Sequence, residues 1–353
     1  MPPGEGPRVA AILVNWNSWR NTVECLDSLL AQRFPGLHVF IVDNDSSDGS
    51  PGAIDDWCRM PRTAAGTPTH DGVDRHSRLR PGVPVGCRSA ARDQGTLPEA
   101  ASGCAVTLVR SGANLGFAGG CNVGIAAAGL RDFDFYWLLN TDTVVHRDAL
   151  AALVDRARSD PRVGMIGSTI RWYDRPQVVQ CMGGARMDAR TVDARHIGEN
   201  TPIEQLAQRA AGVEAELSYI MGASMLVSRE FVQDVGPMQE DYFLYFEEMD
   251  WAVRARGRFK LGYAQESHVF HKSGASSSDV VRAFATNLYY RNKLRFAQRF
   301  FPERLGATRR VMRRELMKAV LRGRWTTARI VATNLWGTAL DRAVRPPSAP
   351  RTA

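Results

Sequence analysis

The chain has 353 residues, of which 44% are hydrophobic and 23% charged, with 31 glycines and 18 prolines. This composition is typical of a globular protein and excludes a mostly disordered or a collagen-like chain. Residues 281–353 hold 17 Lys and Arg against three acids, a net charge of +14, whereas the whole chain carries +8. Residues 1–280 therefore carry −6 (8 − 14). The basic C-terminal end predicts an anionic partner: a membrane face, nucleic acid or a phosphorylated substrate.

The first 50 residues have the pattern of a strand, a helix and a second strand. Residues 9–14 form a continuous apolar run, apolar residues recur at helical spacing over 21–32, and 39–42 is a second apolar run. Such runs are typical of parallel strands buried on both faces. The pattern predicts an α/β fold with a Rossmann-like, mostly parallel central sheet, helices on both faces, and ligands beyond the carboxyl ends of the strands.

Residues 51–104 lack apolar runs and are rich in Pro, Gly, Arg and Asp, which predicts a flexible insertion. Two roles stay open for it, an acceptor-binding flap and a surface loop without function. The six cysteines (25, 58, 87, 104, 121 and 181) lack metal-ligand spacing and are predicted to be reduced thiols. With neither a signal peptide nor a membrane span predicted, we expect a cytoplasmic protein, free or at the inner face of the membrane.

Beyond residue 104 the apolar patterns predict further strands and helices, one of which follows a glycine-rich loop at 114–120. The predicted strands are 105–109, 135–139, 163–166, 221–228 and 261–264, and the predicted helices are 122–129, 147–158, 248–256 and 284–340.

Acidic residues follow or begin several of these elements. Asp43 comes directly after the second apolar run, Asp142 follows the run at 135–139, and Glu247, Glu248 and Asp250 stand where a helix begins. Carboxylates at strand ends meet at one edge of a parallel sheet, which predicts a polar site there. The alternatives are turn chemistry around Asp43, helix capping by Asp142, and stabilisation of the two glutamates by the helix dipole.

Six motifs, taken in order, resemble family 2 inverting glycosyltransferases, and most closely their rhamnosyltransferase-like branch. They are AILVNWN at 11–17, VDNDSSDG at 42–49, NLGFAGGCN at 114–122, LNTDT at 139–143, YFEEMDW at 245–251 and HK at 271–272. The resemblance covers residues 8–300 apart from the insertion. It implies a GT-A fold, with a nucleotide-binding α/β half fused to an acceptor-binding half.

The resemblance also implies a nucleotide-sugar site. Asp43 would contact the base or ribose of the donor, and the main chain around Val14 and Asn15 would line the same pocket. The other residues of the predicted site are Asn44, Asn114, Gly116, Gly120, Asn140 and Gly222.

A divalent cation, Mg²⁺ or Mn²⁺, is implied on the diphosphate of the donor. Asp142 ends the motif that corresponds to the family's DxD pattern, and His271 would supply a further ligand, with His268 as the rival histidine. The sequence departs from the DxD pattern at Asn140, which removes one carboxylate from the expected site.

Glu248 stands at the family's catalytic-base position, where Asp is commoner, and Glu247 and Asp250 are the alternatives. Glycosyl transfer to a hydroxyl needs a positioned carboxylate that takes the proton. Clustering of three acids is expected to raise at least one of their pKa values.

The sequence predicts a catalytic domain at 1–280 and a basic, helical extension at 281–353. In the extension, Arg and Lys are interleaved with two apolar rows, one of Leu305, Met312, Leu316 and Val320 and one of Met317, Leu321 and Trp325. A basic amphipathic helix is typical of peripheral membrane contact, and packing on the catalytic domain is the alternative. Nucleic acid is not expected as a partner, because no recognition motif accompanies the charge.

Together these patterns predict an inverting, metal-dependent glycosyltransferase. Its donor would be a dTDP- or UDP-sugar, with dTDP-rhamnose suggested by the branch resemblance, and its acceptor a hydroxyl of a glycan, a lipid-linked intermediate or a natural product. The alternatives are a catalytically degenerate partner subunit and a sugar-nucleotide pyrophosphorylase. The pyrophosphorylase hypothesis lacks its usual glycine-rich, basic loop after the first strand.

Overall fold

The computed structural model describes residues 6–60, 87–91 (backbone only), 105–129, 133–188, 190–273 and 279–337. The strands are β1 (Val9–Asn15), β2 (Leu37–Asp43), β3 (Cys87–Ala91), β4 (Val106–Arg110), β5 (Phe135–Leu139), β6 (Thr143–Val145), β7 (Val163–Trp172), β8 (Val179–Met182), β9 (Gly184–Asp188), β10 (Asp193–His196), β11 (Tyr219–Ile220), β12 (Ser224–Ser228) and β13 (Lys260–His271). The α-helices are α1 (Trp19–Leu30), α2 (Ser50–Arg59), α3 (Gly116–Gly129), α4 (Ala149–Ser159), α5 (Leu206–Ala210), α6 (Val213–Glu216), α7 (Arg229–Val235), α8 (Glu247–Ala255), α9 (Asp279–Phe300), α10 (Leu305–Leu321) and α11 (Trp325–Trp336). Three short 3₁₀ helices lie at Ile203–Gln205, Glu240–Tyr242 and Pro302–Arg304.

A large mixed sheet forms the centre of the fold. Its strand order is β3-β4-β2-β1-β5-β12-β7-β13-β6, with β8 paired to β7. The half from β3 to β5 is parallel, as predicted. β12 runs antiparallel to both β5 and β7, and β6 runs antiparallel to β13, so the other half is mixed. A smaller antiparallel sheet has the order β10-β9-β11.

Helices cover both faces of the large sheet, which confirms the predicted α/β class. Alternate residues of β1 enter different hydrophobic clusters: Val9, Ala11 and Leu13 pack with α1, α2 and α4, whereas Ala10 and Ile12 pack with α3, α7 and α8. Side chains on a strand alternate between faces. A strand buried on both sides is therefore apolar throughout.

The prediction of a flexible insertion over residues 51–104 is wrong for two parts of that segment. Residues 51–59 belong to α2, which has Pro51 in its first turn and buries Ile54 and Cys58, one turn apart, against the core. An amphipathic helix needs apolar residues only at that spacing, and hence no apolar run. Residues 87–91 form β3, a parallel edge strand on β4. Residues 61–86 and 92–104 of the segment lie outside the described residues.

The sequence predicts a loop over the glycine-rich segment 114–120 and a helix from 122. In the structure α3 already begins at Gly116. A Cβ atom at Gly120 would lie 2.5 Å from Val14 Cγ1, and one at Gly124 would lie 2.4 Å from Ile12 Cγ2. Real Cβ atoms do not approach so closely. These glycines therefore allow α3 to pack directly on β1.

The C-terminal helices pack on the rest of the protein. Phe296 and Ala297 of α9 share a hydrophobic cluster with Phe246 and Met249. A second cluster joins α9, α10 and α11 through Leu294, Met312, Val331 and Leu335. The predicted division between residues 280 and 281 thus falls inside α9. Across the described ranges, no helix combines the length and apolar character needed to cross a bilayer.

The described cysteine side chains agree with the prediction of reduced thiols. Cys25, Cys121 and Cys181 are buried and free, and Cys58 is buried. Cys87 is described only by its backbone, and Cys104 lies outside the described residues.

Candidate active site

A cavity of about 560 Å³ opens between the large sheet, the small sheet and the first turn of α8. It is lined by polar groups from five parts of the chain: the turn after β5, β8, the turn before β12, the start of α8 and the end of β13. From the predicted site, the lining residues are Asn140, Asp142, Gly222, Glu247, Glu248 and His271.

Asp142 and His271 are neighbours in the lining of this cavity, although they are far apart in sequence. Asp142 lies in the turn that follows β5, and the antiparallel pairing of β13 with β6 sets His271 opposite Thr143. As a result, Asp142 Oδ1 lies 3.3 Å from His271 Nε2. The turn is held from both sides, because Lys272 N donates to Asp142 O at 3.0 Å and Asn140 N donates to Ala223 O at 3.2 Å.

His268, the rival histidine, is not in the cavity lining. Its ring packs edge-on against His146, with 6.3 Å between centroids, and its buried Nδ1 has no partner among the described atoms. Burial, followed by the positive charge of Arg171, lowers the pKa of His268 to about 4. His271 is therefore the histidine that adjoins Asp142.

Gln180 of β8 orients the His271 ring. Its side-chain oxygen lies 3.0 Å from His271 Nδ1, a distance at which an Nδ1–H group can donate to this oxygen. Nε2 is then the ring atom that faces Asp142: it donates to the carboxylate when protonated, and when deprotonated it would offer its lone pair to a bound cation. Burial alone would raise the pKa of Asp142, but the interaction with His271 and the charge of Lys272 leave it below its ordinary value.

Glu247 and Glu248 enter the cavity from the first turn of α8. Glu247 is 1% exposed, and its Oε2 has no hydrogen-bond partner among the described atoms. Glu248 is half-buried and accepts a hydrogen bond from the backbone N–H of Gly222. A Cβ atom at residue 222 would lie 2.2 Å from Glu248 Oε1, so only glycine leaves room for the carboxylate in this position.

The two glutamates differ in acidity. Burial, together with the neighbouring charge of Glu248, raises the pKa of Glu247 well above its ordinary value. Burial raises the pKa of Glu248 to about 7, while its backbone hydrogen bonds act in the opposite direction. The prediction that acid clustering would raise at least one of these pKa values agrees with this result. Burial thus disfavours the charged form of both glutamates.

Asp250 is held in a different environment and is not in the cavity lining. Its fully buried carboxylate accepts hydrogen bonds from the Tyr242 hydroxyl at 3.0 Å, from Arg254 Nε at 2.6 Å and from Arg299 at 2.9 Å. These partners account for its charge. Glu247 and Glu248 are thus the two predicted base candidates that line the cavity.

The predicted donor residues at the ends of β1 and β2 form a separate hydrogen-bonded group. Asn15 pairs in register with Asp43, and its Nδ2 donates to Asp43 Oδ1 at 2.9 Å. The other oxygen of Asp43 accepts from Ser46 N at 3.1 Å. Both Asn15 and Asp43 are buried. They lie at the carboxyl ends of parallel strands, the usual ligand edge of such a sheet.

Asn44 ties this group to the start of α3. Its Nδ2 donates to Asn114 Oδ1 at 3.1 Å and to Gly116 O at 2.9 Å, and its Oδ1 accepts from Leu115 N at 3.1 Å. Val14 and Gly120 pack against each other. Together with Asn15 and Asp43, these residues are outside the cavity lining.

Sequence reasoning missed Gln180, His196 and Tyr219, which also line the cavity. A polar residue in an otherwise apolar strand could have indicated Gln180. His196 and Tyr219 belong to the small sheet, whose elements had no clear periodicity in the sequence.

Comparison with known families and structures identifies the class of protein. A family model described as "Glycosyltransferase like family 2" matches residues 85–318, and a model described as "Glycosyl transferase family 2" matches residues 10–64. The larger match spans more than half of the chain. The protein therefore belongs to glycosyltransferase family 2 and is a glycosyltransferase. No curated protein sequence matches it significantly.

Two solved structures illustrate the fold. The mannosyltransferase PcManGT from Pyrobaculum calidifontis, in complex with GDP-Man and Mn²⁺, is 16% identical with a TM-score of 0.54, over 95% of this chain and 89% of that chain. GalNAc-T7, with UDP, GalNAc and Mn²⁺, is 14% identical with a TM-score of 0.53, over 81% of this chain and 47% of that chain. This likeness confirms the predicted GT-A fold.

Proposed function

We propose that the protein transfers a sugar from a nucleotide donor to an acceptor hydroxyl, with inversion at the anomeric carbon. The observation that carries the proposal is the presence of Asp142, His271 and Glu248 in the lining of one cavity. Membership of glycosyltransferase family 2 supports glycosyl transfer over the pyrophosphorylase alternative.

In the proposed step, Glu248 takes the proton of the acceptor hydroxyl while the hydroxyl oxygen bonds to the anomeric carbon. The bond between that carbon and the diphosphate oxygen breaks on the opposite face, and its electron pair leaves with the nucleoside diphosphate. No covalent bond to the enzyme forms. The products are the glycoside, the nucleoside diphosphate and a protonated Glu248.

Asp142 and His271 are the residues proposed to hold Mg²⁺ or Mn²⁺. Adjacent ligand atoms of an octahedral ion, each about 2.1 Å from the metal, are about 3 Å apart. The 3.3 Å between Asp142 Oδ1 and His271 Nε2 agrees with such a pair. The described residues contain no cluster of three or more His, Cys, Asp or Glu suited to a metal, so diphosphate oxygens and water would complete the shell. A cation bound there would act as a Lewis acid on the leaving diphosphate.

For the donor we propose a nucleotide sugar whose base or ribose contacts Asp43 and Asn15. GDP-Man in the PcManGT structure and UDP in the GalNAc-T7 structure support this class of donor. The choice of dTDP-rhamnose as the donor rests on the resemblance of the motifs to the rhamnosyltransferase-like branch. UDP-sugars are the second choice. The acceptor would be a hydroxyl of a glycan, a lipid-linked intermediate or a small molecule.

The test is the release of nucleoside diphosphate from a panel of dTDP-, UDP- and GDP-sugars, each assayed with Mg²⁺, with Mn²⁺ and with EDTA. We expect release from one class of donor and its loss in EDTA. Slow donor hydrolysis without an acceptor counts as a positive result, because water can replace the acceptor hydroxyl. Neither binding nor turnover with any donor would contradict the proposal and favour the degenerate partner subunit.

On the acceptor side we propose contact with an anionic membrane surface, which suits a lipid-linked acceptor and a cytoplasmic protein at the inner face of the membrane. The end of α10 exposes Met317 (63%) and Leu321 (83%), and the start of α11 exposes Trp325 (68%). Lys318, Arg322 and Arg324, which are also exposed, surround them. Apolar and aromatic side chains among basic ones are typical of surfaces that bind anionic bilayers.

Replacing Met317, Leu321 and Trp325 together by serine is expected to weaken binding to phosphatidylglycerol-containing vesicles at least about tenfold. Each apolar side chain that the membrane buries contributes about 1.5–3 kcal/mol. A loss of about 1.4 kcal/mol in binding free energy is already a factor of ten in affinity. Cosedimentation with these vesicles and with neutral phosphatidylcholine vesicles measures the effect. Met60→Ser, at a residue 60% exposed elsewhere on the surface, is the matched control. Equal sedimentation of wild type with both vesicles, or with neither, would refute the membrane contact.

A further inference from the structure

The loop that leads into α8 has an unusual backbone. Phe243, Tyr245 and Phe246 have φ values of 67°, 68° and 79°, in the left-handed region that large side chains rarely adopt. Phe246 is also the residue from which α8 starts, since Asp250 N donates to its carbonyl at 2.8 Å. The direction of this loop therefore sets the direction in which Glu247 and Glu248 leave the helix. A strained segment of this kind persists only when its surroundings hold it.

Asn292 of α9 holds the loop. It is fully buried, and its Nδ2 donates to the carbonyl oxygens of Tyr242 at 2.8 Å, Leu244 at 2.7 Å and Tyr245 at 2.9 Å. One amide group thus contacts three carbonyls of a five-residue segment. The Tyr242 carbonyl also accepts from Leu244 N at 2.8 Å, whereas among the described residues no backbone N–H reaches those of Leu244 and Tyr245, because the backbone has positive φ on either side of Leu244.

The amide of Asn292 is itself oriented. Its Oδ1 accepts from Arg291 Nε at 3.0 Å and from an Arg291 terminal nitrogen at 2.9 Å. The same terminal nitrogen donates to Asp241 O at 3.0 Å and to Tyr242 O at 3.1 Å. Arg291 is 4% exposed. Because the guanidinium can only donate, it fixes the oxygen of Asn292 toward itself and turns the NH₂ group toward the loop.

A second contact fixes the opposite side of the loop. Phe117 N, at the start of α3, donates to Phe243 O at 2.7 Å. A Cβ atom at Gly116 would lie 2.2 Å from the same oxygen, so the close approach requires glycine there. The loop is thus held between the start of α3 and helix α9 of the C-terminal part of the chain.

We infer that Asn292 is a positioning residue for the reaction: by holding the loop 242–246 in its left-handed conformation, it keeps Glu248 against Gly222 in the cavity. This inference rests on the proposed function, in which Glu248 takes the acceptor proton. Asn292 itself is outside the cavity lining. Its loss would leave the carbonyls of Leu244 and Tyr245 without their side-chain donor and would let the loop relax.

Asn292→Asp tests the inference, because aspartate has the same shape but lacks the NH₂ donor. We expect kcat to fall by about 10- to 100-fold, since misplacement of a reacting group by about 1 Å costs up to about 100-fold. Binding of the nucleoside diphosphate, measured by calorimetry, is expected to stay within about twofold, because the residues proposed for it do not contact Asn292. Backbone amides of residues 241–250 are expected to exchange hydrogen faster.

Asn334→Ala is the matched control, because Asn334 is also buried and its Nδ2 joins α11 to Asn287 of α9 at 2.8 Å, without contact to the loop. It is expected to lower the melting temperature but to leave kcat and exchange at 241–250 as in wild type. Asn292→Ala is the second test variant if the aspartate prevents folding.

The outcomes separate this inference from the proposed function. Wild type that turns over no donor refutes the proposed function, whereas the exchange measurement still reports on the loop. Unchanged exchange at 241–250 in both Asn292 variants overturns the inference. Faster exchange with an unchanged kcat, or a kcat loss matched by an equal loss of diphosphate affinity, also overturns it.

Discussion

Glu248→Gln is expected to lower kcat by about 10²–10⁴-fold, the usual contribution of a general base. Glutamine preserves the size of the side chain and leaves space for the hydrogen bond from Gly222 N–H, but it cannot accept the acceptor proton. Nucleoside diphosphate affinity should change little, because Glu248 acts on the acceptor. Initial rates with the donor identified in the panel, together with calorimetry for the diphosphate, measure the two effects.

The pH dependence of kcat is a second test of Glu248 as the base. Burial raises the pKa of Glu248 to about 7, and only its deprotonated form can take a proton. The wild-type rate should therefore rise with pH up to about pH 7 and level off above it, whereas the residual rate of Glu248→Gln should lack this step. A wild-type rate that falls as pH rises from 6 to 8 would contradict the assignment.

Stability is expected to respond in the opposite sense. A carboxyl whose pKa is raised in the folded state favours folding at low pH, and this contribution is lost as pH rises through the folded-state pKa. For Glu248 the window runs from its ordinary value of 4.5 to about 7. Glu248→Gln should thus unfold at a higher temperature than wild type above pH 7. That result would exclude misfolding as the cause of its lost activity.

Glu247→Gln separates the two glutamates. Because burial and the charge of Glu248 hold the pKa of Glu247 well above its ordinary value, its replacement by the neutral glutamine should lower kcat much less than Glu248→Gln does. If Glu247→Gln instead abolishes turnover while Glu248→Gln remains active, the roles of the two residues are reversed. Asp250 is a poor choice for such a comparison, since its loss would also break the ion pairs with Arg254 and Arg299.

Asp142→Asn is expected to weaken Mn²⁺ binding in the presence of the nucleoside diphosphate. Mutation of an outer-shell partner costs about 10–100-fold in metal affinity, and we expect a larger loss here, because Asp142 is proposed as a direct ligand. The reason is that the variant removes the negative charge and leaves His271 Nε2 as the remaining member of the proposed ligand pair. Titration of Mn²⁺ followed by electron paramagnetic resonance gives the affinity. Metal-dependent turnover should fall with it.

Asp148→Asn is the control for the metal prediction, because Asp148 lies nearby in sequence but interacts with Arg33 and Arg147 outside the cavity. It should bind Mn²⁺ as wild type does. Equal affinities for Asp142→Asn and Asp148→Asn would show that Asp142 is not a ligand, and the Asn140 departure from the DxD pattern would then mark a site that has lost its metal.

The sequence by itself determined the elements whose burial follows a regular period. β1, β2 and β5 each contain a continuous apolar run because both of their faces are covered, and this signal is local. It also placed acids and amides directly after these strands, which sufficed to predict a polar site at one edge of the sheet. α2 was missed because Ile54 and Cys58 make only a short apolar stripe within a segment rich in Pro and Gly.

Only the tertiary structure decided which of these polar residues meet. His268 and His271 are three residues apart on β13, so they face opposite sides of the strand, and the side that contains Asp142 depends on the pairing of β13 with β6. Glu248 and Asp250 are two residues apart on α8, about 200° around the helix, and the packing of α9 turns Asp250 toward Arg299. Asn292 had no signal at all, because its partners are main-chain carbonyls whose left-handed geometry arises only in the folded protein. Local patterns report burial, whereas contacts between distant residues depend on strand order, register and helix packing.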